Sequence, residues 1–256
     1  MSTTTAGSST SRQRLQATLN HQQPDRVCVD FGATAVTGIH VSAVMRLRQA
    51  VLGQSDPRVK VIEPYQMLGE VDDELRTALG IDVIGIPGRK SLFGTVSDNW
   101  KPFTMNDGTP VLVSGDLNVT KDEAGDTYIY PEGDMSVPPS GRMPAGGYFF
   151  DAVIRQDPID EDKLNPEDNV EEFGLLSEED LAYYRSMRQW LLEHPDCGAM
   201  LVVPGAAFGD IALVPATFLK HPKGIRDVEE WYISTVTRKD YVRTVFERQC
   251  EIAEQN

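Results

Sequence analysis

The amino-acid sequence predicts an α/β protein in which apolar strands alternate with helices and an antiparallel β meander is inserted. Near-continuous apolar runs at 27–31, 81–86 and 198–205 are typical of strands in a parallel sheet, and helical patterns follow them. Between about 95 and 155, short alternating runs are separated by turn sequences such as "NDG", and no helical pattern intervenes. This second pattern predicts the meander.

Four helices are predicted in front of or between these strands, each from an apolar stripe with a start or stop signal. They span 11–21, 40–53, 65–80 and 177–194. Ser11 and Ser177 are predicted to cap the first and the fourth, while Gly53 and Gly80 stand at the stop positions of the second and third. The small polar residues at the start of the chain predict a disordered tail over 1–10.

Composition limits the classes of partner. The 256 residues carry 39 acidic and 24 basic side chains, a net charge of -15, which disfavours binding to nucleic acid or to anionic membranes. No apolar run approaches the roughly 20 residues that cross a bilayer. Cys28, Cys197 and Cys250 are far apart and match no metal-ligand spacing. We therefore expect a cytoplasmic protein without a complete metal site in this chain.

Three segments together resemble the uroporphyrinogen decarboxylase superfamily. They are "SRQRLQATLNHQQPDRVCVDFGATAVTGIH" at 11–40, "GEVDDELRTALGIDVIGI" at 69–86 and "YPEGDMSVPPSGRMPAGGYFFDAVIRQ" at 130–156. More narrowly, the chain resembles the branch of corrinoid-linked methyltransferases. The resemblance implies a TIM-type (β/α)8 barrel with its active site at the carboxyl ends of the strands. Because an insertion of roughly fifty residues leaves too few strands for a closed barrel, we expect 11–256 to be its N-terminal part.

The superfamily contains two chemistries, and the sequence separates them. The decarboxylases have an arginine-rich segment after the first strand, an aspartate after the next strand and a tyrosine after the third. The matching positions here are Phe31–Gly38, Val83–Gly88 and Leu213, which have none of these side chains. Because a polycarboxylate substrate needs fixed cations, we expect corrinoid-linked methyl transfer, including O-demethylation. A decarboxylase of porphyrin biosynthesis and a non-catalytic barrel that binds a small ligand remain the alternatives.

The resemblance also implies cofactors and partners. In the methyltransferase branch, zinc held by His and Cys ligands of the C-terminal half activates a thiol or polarises a methyl donor. The His-x-Cys motif of that branch does not occur in these 256 residues. We therefore expect zinc and a corrinoid only in the full-length protein, and an inactive isolated chain. The expected partners are a small-molecule substrate and a corrinoid protein, and a homodimer is left open.

The candidate substrate-binding residues follow predicted strands. They are Phe31, Gly32, Thr34, His40, Phe208 and Asp210. For Gly32 and Thr34 the alternative is a plain turn. For His40 the favoured alternative is a cap on the helix that begins at 41, and for Asp210 a cap on the next helix is an equal alternative. The sequence assigns no catalytic residue.

A long loop rich in Pro and Gly, over 131–150, is predicted to have no secondary structure of its own. Such loops are often lids. Arg142 and Tyr148 are the candidate lid residues. The alternative is that this loop packs the insertion against the rest of the fold, which is the favoured interpretation for the aromatic pair Tyr148 and Phe149.

Overall fold

The computed structural model describes residues 9–171, 173–202 and 209–256. The helices are α1 (Ser11–Leu19), α2 (Val41–Leu52), α3 (Asp73–Leu79), α4 (Glu178–Glu193), α5 (Val228–Thr237) and α6 (Lys239–Gln255). The strands are β1 (Val59–Glu63), β2 (Leu68–Gly69), β3 (Val83–Ile86), β4 (Lys101–Thr104), β5 (Pro110–Val113), β6 (Val119–Lys121), β7 (Thr127–Ile129), β8 (Gly141–Met143), β9 (Asp151–Ala152) and β10 (Gly198–Leu201).

The chain divides into two compact units. The first contains 1–59, 68–87 and 181–202, and the second contains 60–67, 88–180 and 203–256. The predicted tail falls mostly on 1–8, outside the described residues. None of the helices that the structure describes combines the length and the apolar character needed to cross a bilayer.

The first unit contains a parallel pair of strands. β10 runs parallel to β3, with Gly198 opposite Val83 and Leu201 opposite Ile86. α1 packs against both strands. The predictions of strands at 81–86 and 198–205 are thus confirmed in type over β3 and β10, and positions 203–205 of the second prediction lie outside the described residues. β3 is largely buried as predicted, whereas three of the four residues of β10 are exposed.

The predicted strand at 27–31 is wrong. The main chain there has no strand ladder, and Val27 is 78% exposed. Val29 bonds to Asp82 twice: its carbonyl accepts from the Asp82 amide at 2.8 Å, and its amide donates to Asp82 Oδ2 at 2.9 Å. Because a side chain takes the place of the next main-chain acceptor, the pairing does not continue as a ladder.

The predicted helix at 65–80 is wrong in its first half. The helix there is α3, which begins after Asp72, whose side chain accepts from the amide of Leu75 at 3.1 Å. Gly69 lies in β2, where a Cβ would come within 2.9 Å of the Val41 Cα. This close approach explains the glycine. The end of the helix is confirmed, because Gly80 is left-handed at φ 66°.

The bounds of the remaining helices agree better with those predicted from the sequence. α2 ends at the left-handed Gly53 as predicted, and α4 matches the predicted span to within one residue. At α1 the cap is Thr10 rather than Ser11, in a reciprocal capping box with Gln13. β1 was not predicted at all.

The second unit contains antiparallel sheets. β4 and β5 form a hairpin, and β6 to β9 pair in consecutive order as a meander. β8 falls inside 131–150, so the prediction of a loop without structure is wrong. The strand fits there because Gly141 has no side chain: a Cβ would lie 2.7 Å from atoms of Ile129 and Phe93.

α5 and α6 form a separate part of the core of the second unit. Their shared buried cluster consists of Val170, Val214, Ile225, Trp231, Val242 and Val245. Trp231 meets Phe246 edge to face, with ring centroids 6.3 Å apart. Asn169, which is 3% exposed, joins this cluster to the main chain of Ile225 through hydrogen bonds to its amide and its carbonyl.

Candidate functional site

The segment 31–38, which we call the small-residue loop, is a turn closed by its own hydrogen bonds. The Gly32 amide donates to the carbonyl of Thr37 at 2.8 Å. The Thr37 hydroxyl donates to Asp30 Oδ1 at 3.1 Å and accepts from the Thr34 amide at 3.3 Å. Hydrogen bonds within the loop and to the neighbouring Asp30 therefore hold its shape.

The small residues of this loop are needed for close packing inside the first unit. At Gly32, whose φ is +89°, a Cβ would lie 2.6 Å from Val71 Cγ2. At Gly38 a Cβ would lie 2.5 Å from Leu68 Cδ1. Gly85 in β3 is the third such contact, because a Cβ there would meet the Ala33 carbonyl. These contacts account for the glycines without a ligand.

The same contacts place the loop beside the carboxyl half of β3. Ligand sites in α/β proteins lie beyond the carboxyl ends of parallel strands. The loop has no Lys or Arg between 31 and 38. Its nearest charge is the Asp30 carboxylate, which accepts from the Ala33 amide at 3.3 Å. Phe31 and Thr34 are half-buried. The loop therefore offers neutral surface next to one carboxylate.

His40 caps α2. Its Nδ1 accepts from the amide of Ser42 at 3.3 Å and lies 2.8 Å from the Ser42 hydroxyl. The favoured prediction, a helix cap, is confirmed. The predicted role in substrate binding stays a prediction.

Asp210 belongs to the second unit and caps a short 3₁₀ helix, Ile211–Leu213, by accepting from the Ala212 amide at 3.0 Å. The predicted cap is confirmed. The exposed Asp210 also stands at the rim of a narrow crevice. The crevice is lined by Asn169, Phe173, Gly209, Asp210, Leu213, Val214, Trp231, Phe246 and Gln249. Phe208, the other candidate in this stretch, lies outside the described residues.

Of the two candidate lid residues, Arg142 forms an ion pair and Tyr148 is exposed. Arg142 on β8 donates from Nε to Asp126 Oδ2 at 2.7 Å, and this hydrogen bond lowers the pKa of Asp126. The ion pair lies within the meander. Tyr148 and Phe149 are each 52% exposed, and the expectation that they pack the insertion stays a prediction. Whether this segment closes over a site stays a prediction.

The described residues do not fit a zinc site. Nowhere in 9–171, 173–202 or 209–256 do three His, Cys, Asp or Glu side chains come together as metal ligands would. The Cys197 sulfur instead accepts from Arg76 Nη1 at 3.4 Å. Burial raises the pKa of the Cys28 thiol, which disfavours the thiolate that a metal needs.

Asp82 and Gln249 are among the buried polar residues that sequence reasoning missed. Asp82 is fully buried and accepts hydrogen bonds from Arg14, Arg26 and Ser11. The signal for it was an aspartate inside an apolar run. Gln249, 6% exposed on α6, lines the crevice at Asp210. A glutamine in a polar helix carries no such signal.

Comparison with known proteins identifies no relative of this chain. No protein family, curated protein or solved structure matches the chain. A functional proposal consequently depends on the sequence patterns and on the arrangement of side chains described above.

Proposed function

We propose that the chain belongs to a (β/α)8 barrel of the uroporphyrinogen decarboxylase superfamily and functions in methyl transfer linked to a corrinoid. The observation that supports this most is the small-residue loop. It lies against the carboxyl half of β3, where such a barrel has its mouth, and it offers no cation.

The charge of this loop favours methyl transfer over decarboxylation. A porphyrinogen carries several carboxylates, and their recognition requires Arg or Lys at fixed positions. The acidic side chain of Asp30, which accepts from the Ala33 amide and the Thr37 hydroxyl, stands there instead and supplies no cation. A neutral methyl donor or the edge of a corrinoid does not need a cation at this loop.

The parallel pair supports the proposed fold. Parallel strands need a crossover connection, and the long connection between β3 and β10 ends in α4. Met200 and Leu201 of β10 are 40% and 49% exposed, as suits a strand whose faces other elements of a barrel would cover. The described sheets contain two and four strands, so the barrel itself is a proposal.

The cofactors are proposed for the full-length protein only. Among the described residues no three metal-ligating side chains come together. We assign no catalytic residue and no step to a metal. The proposed partners are a small-molecule substrate and a corrinoid protein. The cytoplasm is proposed as the compartment on the basis of the cysteine pattern of the sequence.

The test is a pair of assays on the full-length protein. With zinc, a methylated corrinoid protein and a thiol as acceptor, we expect the methyl group to pass from cobalt to the thiolate sulfur, which leaves the corrinoid as Co(I). The change in the corrinoid absorption spectrum is the measurement. With uroporphyrinogen we expect no loss of carbon dioxide. Efficient decarboxylation, or no transfer from any methylated corrinoid protein, would contradict the proposal.

A variant links the activity to the loop. Ala35 is exposed in the small-residue loop, so Ala35→Arg adds a bulky cation without disturbing the packing. We expect it to lower the rate of methyl transfer about tenfold or more, by obstruction and unpaired charge. Ala124→Arg, at an exposed turn of the meander, is the matched control and should keep the rate. Equal rates of methyl transfer for the two variants would show that the loop is not part of the active site.

A further inference from the structure

The narrow crevice in the second unit has the features of a small binding site. It lies among the 3₁₀ helix Ile211–Leu213, α5 and α6, and it encloses about 20 Å³. That is room for one group of the size of a water molecule or an ammonium ion. The walls are mainly apolar and aromatic, with polar atoms at only a few positions.

One of these polar atoms has no partner. Gln249 is 94% buried, and its Oε1 accepts no hydrogen bond within the part of the chain that the structure describes. Asn169 beside it is satisfied, because its Oδ1 accepts from the Ile225 amide and from the Tyr241 hydroxyl, both at 2.7 Å. A buried acceptor without a donor is costly. A ligand that donates a hydrogen bond to Gln249 Oε1 would therefore be stabilised in the crevice.

The remaining lining favours a donor with a positive charge. The Asp210 carboxylate stands at the rim, where it accepts from Ala212 through Oδ1. Trp231, Phe246 and Phe173 supply aromatic rings, whose faces attract cations. Water would satisfy Gln249 alone. An ammonium group would also gain from the carboxylate and the rings.

We propose that this crevice binds the ammonium head of a small primary amine. Gln249 Oε1 accepts one N–H inside the crevice, and the Asp210 carboxylate accepts or attracts the head from the rim. The alkyl part of the ligand extends outwards past Gly209. This site stands on its own and does not depend on the proposed methyl transfer.

Methylammonium is the probe. We expect the full chain to bind it with saturable heat in calorimetry and to unfold at a higher temperature in its presence than in sodium chloride of equal ionic strength. Tetramethylammonium is the comparison, because it has no N–H donor and is too large for the crevice. We expect no saturable binding of it. A crevice that holds water only would give no saturable response to methylammonium, and that result would overturn the proposal.

Variants at the two acceptors test the assignment. Gln249→Leu should weaken the binding of methylammonium about tenfold, because the buried acceptor is lost. Gln249→Glu should strengthen it through a charged pair. Gln255→Leu makes the same change at an exposed position of α6 and should leave the affinity unchanged.

A variant of Asp210, at the rim of the crevice, tests the proposal even if Gln249→Leu does not fold. Asp210→Asn keeps an oxygen to cap Ala212 but removes the charge. We expect a loss of affinity of about threefold or more, as for an exposed charge. Unchanged affinity in both Gln249→Leu and Asp210→Asn, or in Asp210→Asn alone if the former does not fold, would overturn the proposal.

Discussion

The main chain of Gly85 in β3 runs so close to Ala33 that a Cβ at position 85 would lie 1.7 Å from the Ala33 carbonyl oxygen. This contact holds the small-residue loop against the strand. Ala33 is itself only 6% exposed, so neither partner has room to move aside. The shape of the loop therefore depends on a glycine about fifty positions later in the chain.

Gly85→Ala should destabilise the protein. The added methyl group cannot fit beside Ala33, and overpacking of this kind costs about 3 kcal/mol or more. The free energy of unfolding from urea titration is the measurement. Gly88→Ala is the control, because its nearest atom would be the Lys90 carbonyl oxygen at an ordinary 3.7 Å. Equal stability of the two variants would show that the loop is not packed on β3 as described.

Asp82→Asn should be among the more destabilising polar substitutions. Arg14 and Arg26 reach Asp82 at 3.1 and 2.8 Å, and the side chain of Asp82 is fully buried. Removing its charge leaves Arg14 with one buried partner fewer, at a cost of about 3 kcal/mol. Asp73→Asn, which removes the charge of the half-exposed partner of Arg76, is the control and should change little. A similar loss in both variants, measured by urea unfolding, would contradict the central role of Asp82.

Asp180 should make stability depend on pH in the acid range. Burial raises the pKa of this carboxyl, but hydrogen bonds from Arg89 and Ser177 lower it by a larger amount. The net effect is a pKa of about 2 instead of the ordinary 3.8. The folded state thus binds this proton less readily than the unfolded state. The contribution, about 1 to 2 kcal/mol, is complete above the unfolded pKa and is lost as the pH falls towards the folded pKa.

The measurement is the free energy of unfolding between pH 5 and about pH 2. Asp180→Asn should flatten this part of the pH curve. Glu179→Gln removes the more exposed partner of Arg89 and should leave it nearly unchanged. An unaltered acid slope in Asp180→Asn would contradict the assignment.

His40 can be tested for its two roles separately. His40→Ala removes the acceptor for the Ser42 amide and should cost about 1 kcal/mol of stability. His40→Asn should keep most of the stability, since asparagine is a good cap. If His40 only caps α2, His40→Asn also keeps methyl transfer. Loss of activity with unchanged stability in His40→Asn would show that the ring itself contacts substrate.

Features determined by neighbours in the sequence were predicted well. Gly53 and Gly80 end their helices because only glycine readily adopts the left-handed conformation there. His40 and Asp210 cap the segments that follow them for a similar reason, since the acceptor and the free amide are two residues apart. Each of these interactions closes within one helical turn, so the local sequence contains all of it.

Tertiary structure decided what depends on distant parts of the chain. The run 27–31 has the composition of a strand, but Asp82 captures the amide of Val29 and no ladder forms. The loop at 31–38 has the composition of a ligand site, but Gly85 and Val71 show that its small residues meet the protein's own atoms. The unpaired oxygen of Gln249 exists only where two helices meet. Composition and local spacing report what a segment can do, whereas burial and partners are set by contacts between residues tens to hundreds of positions apart.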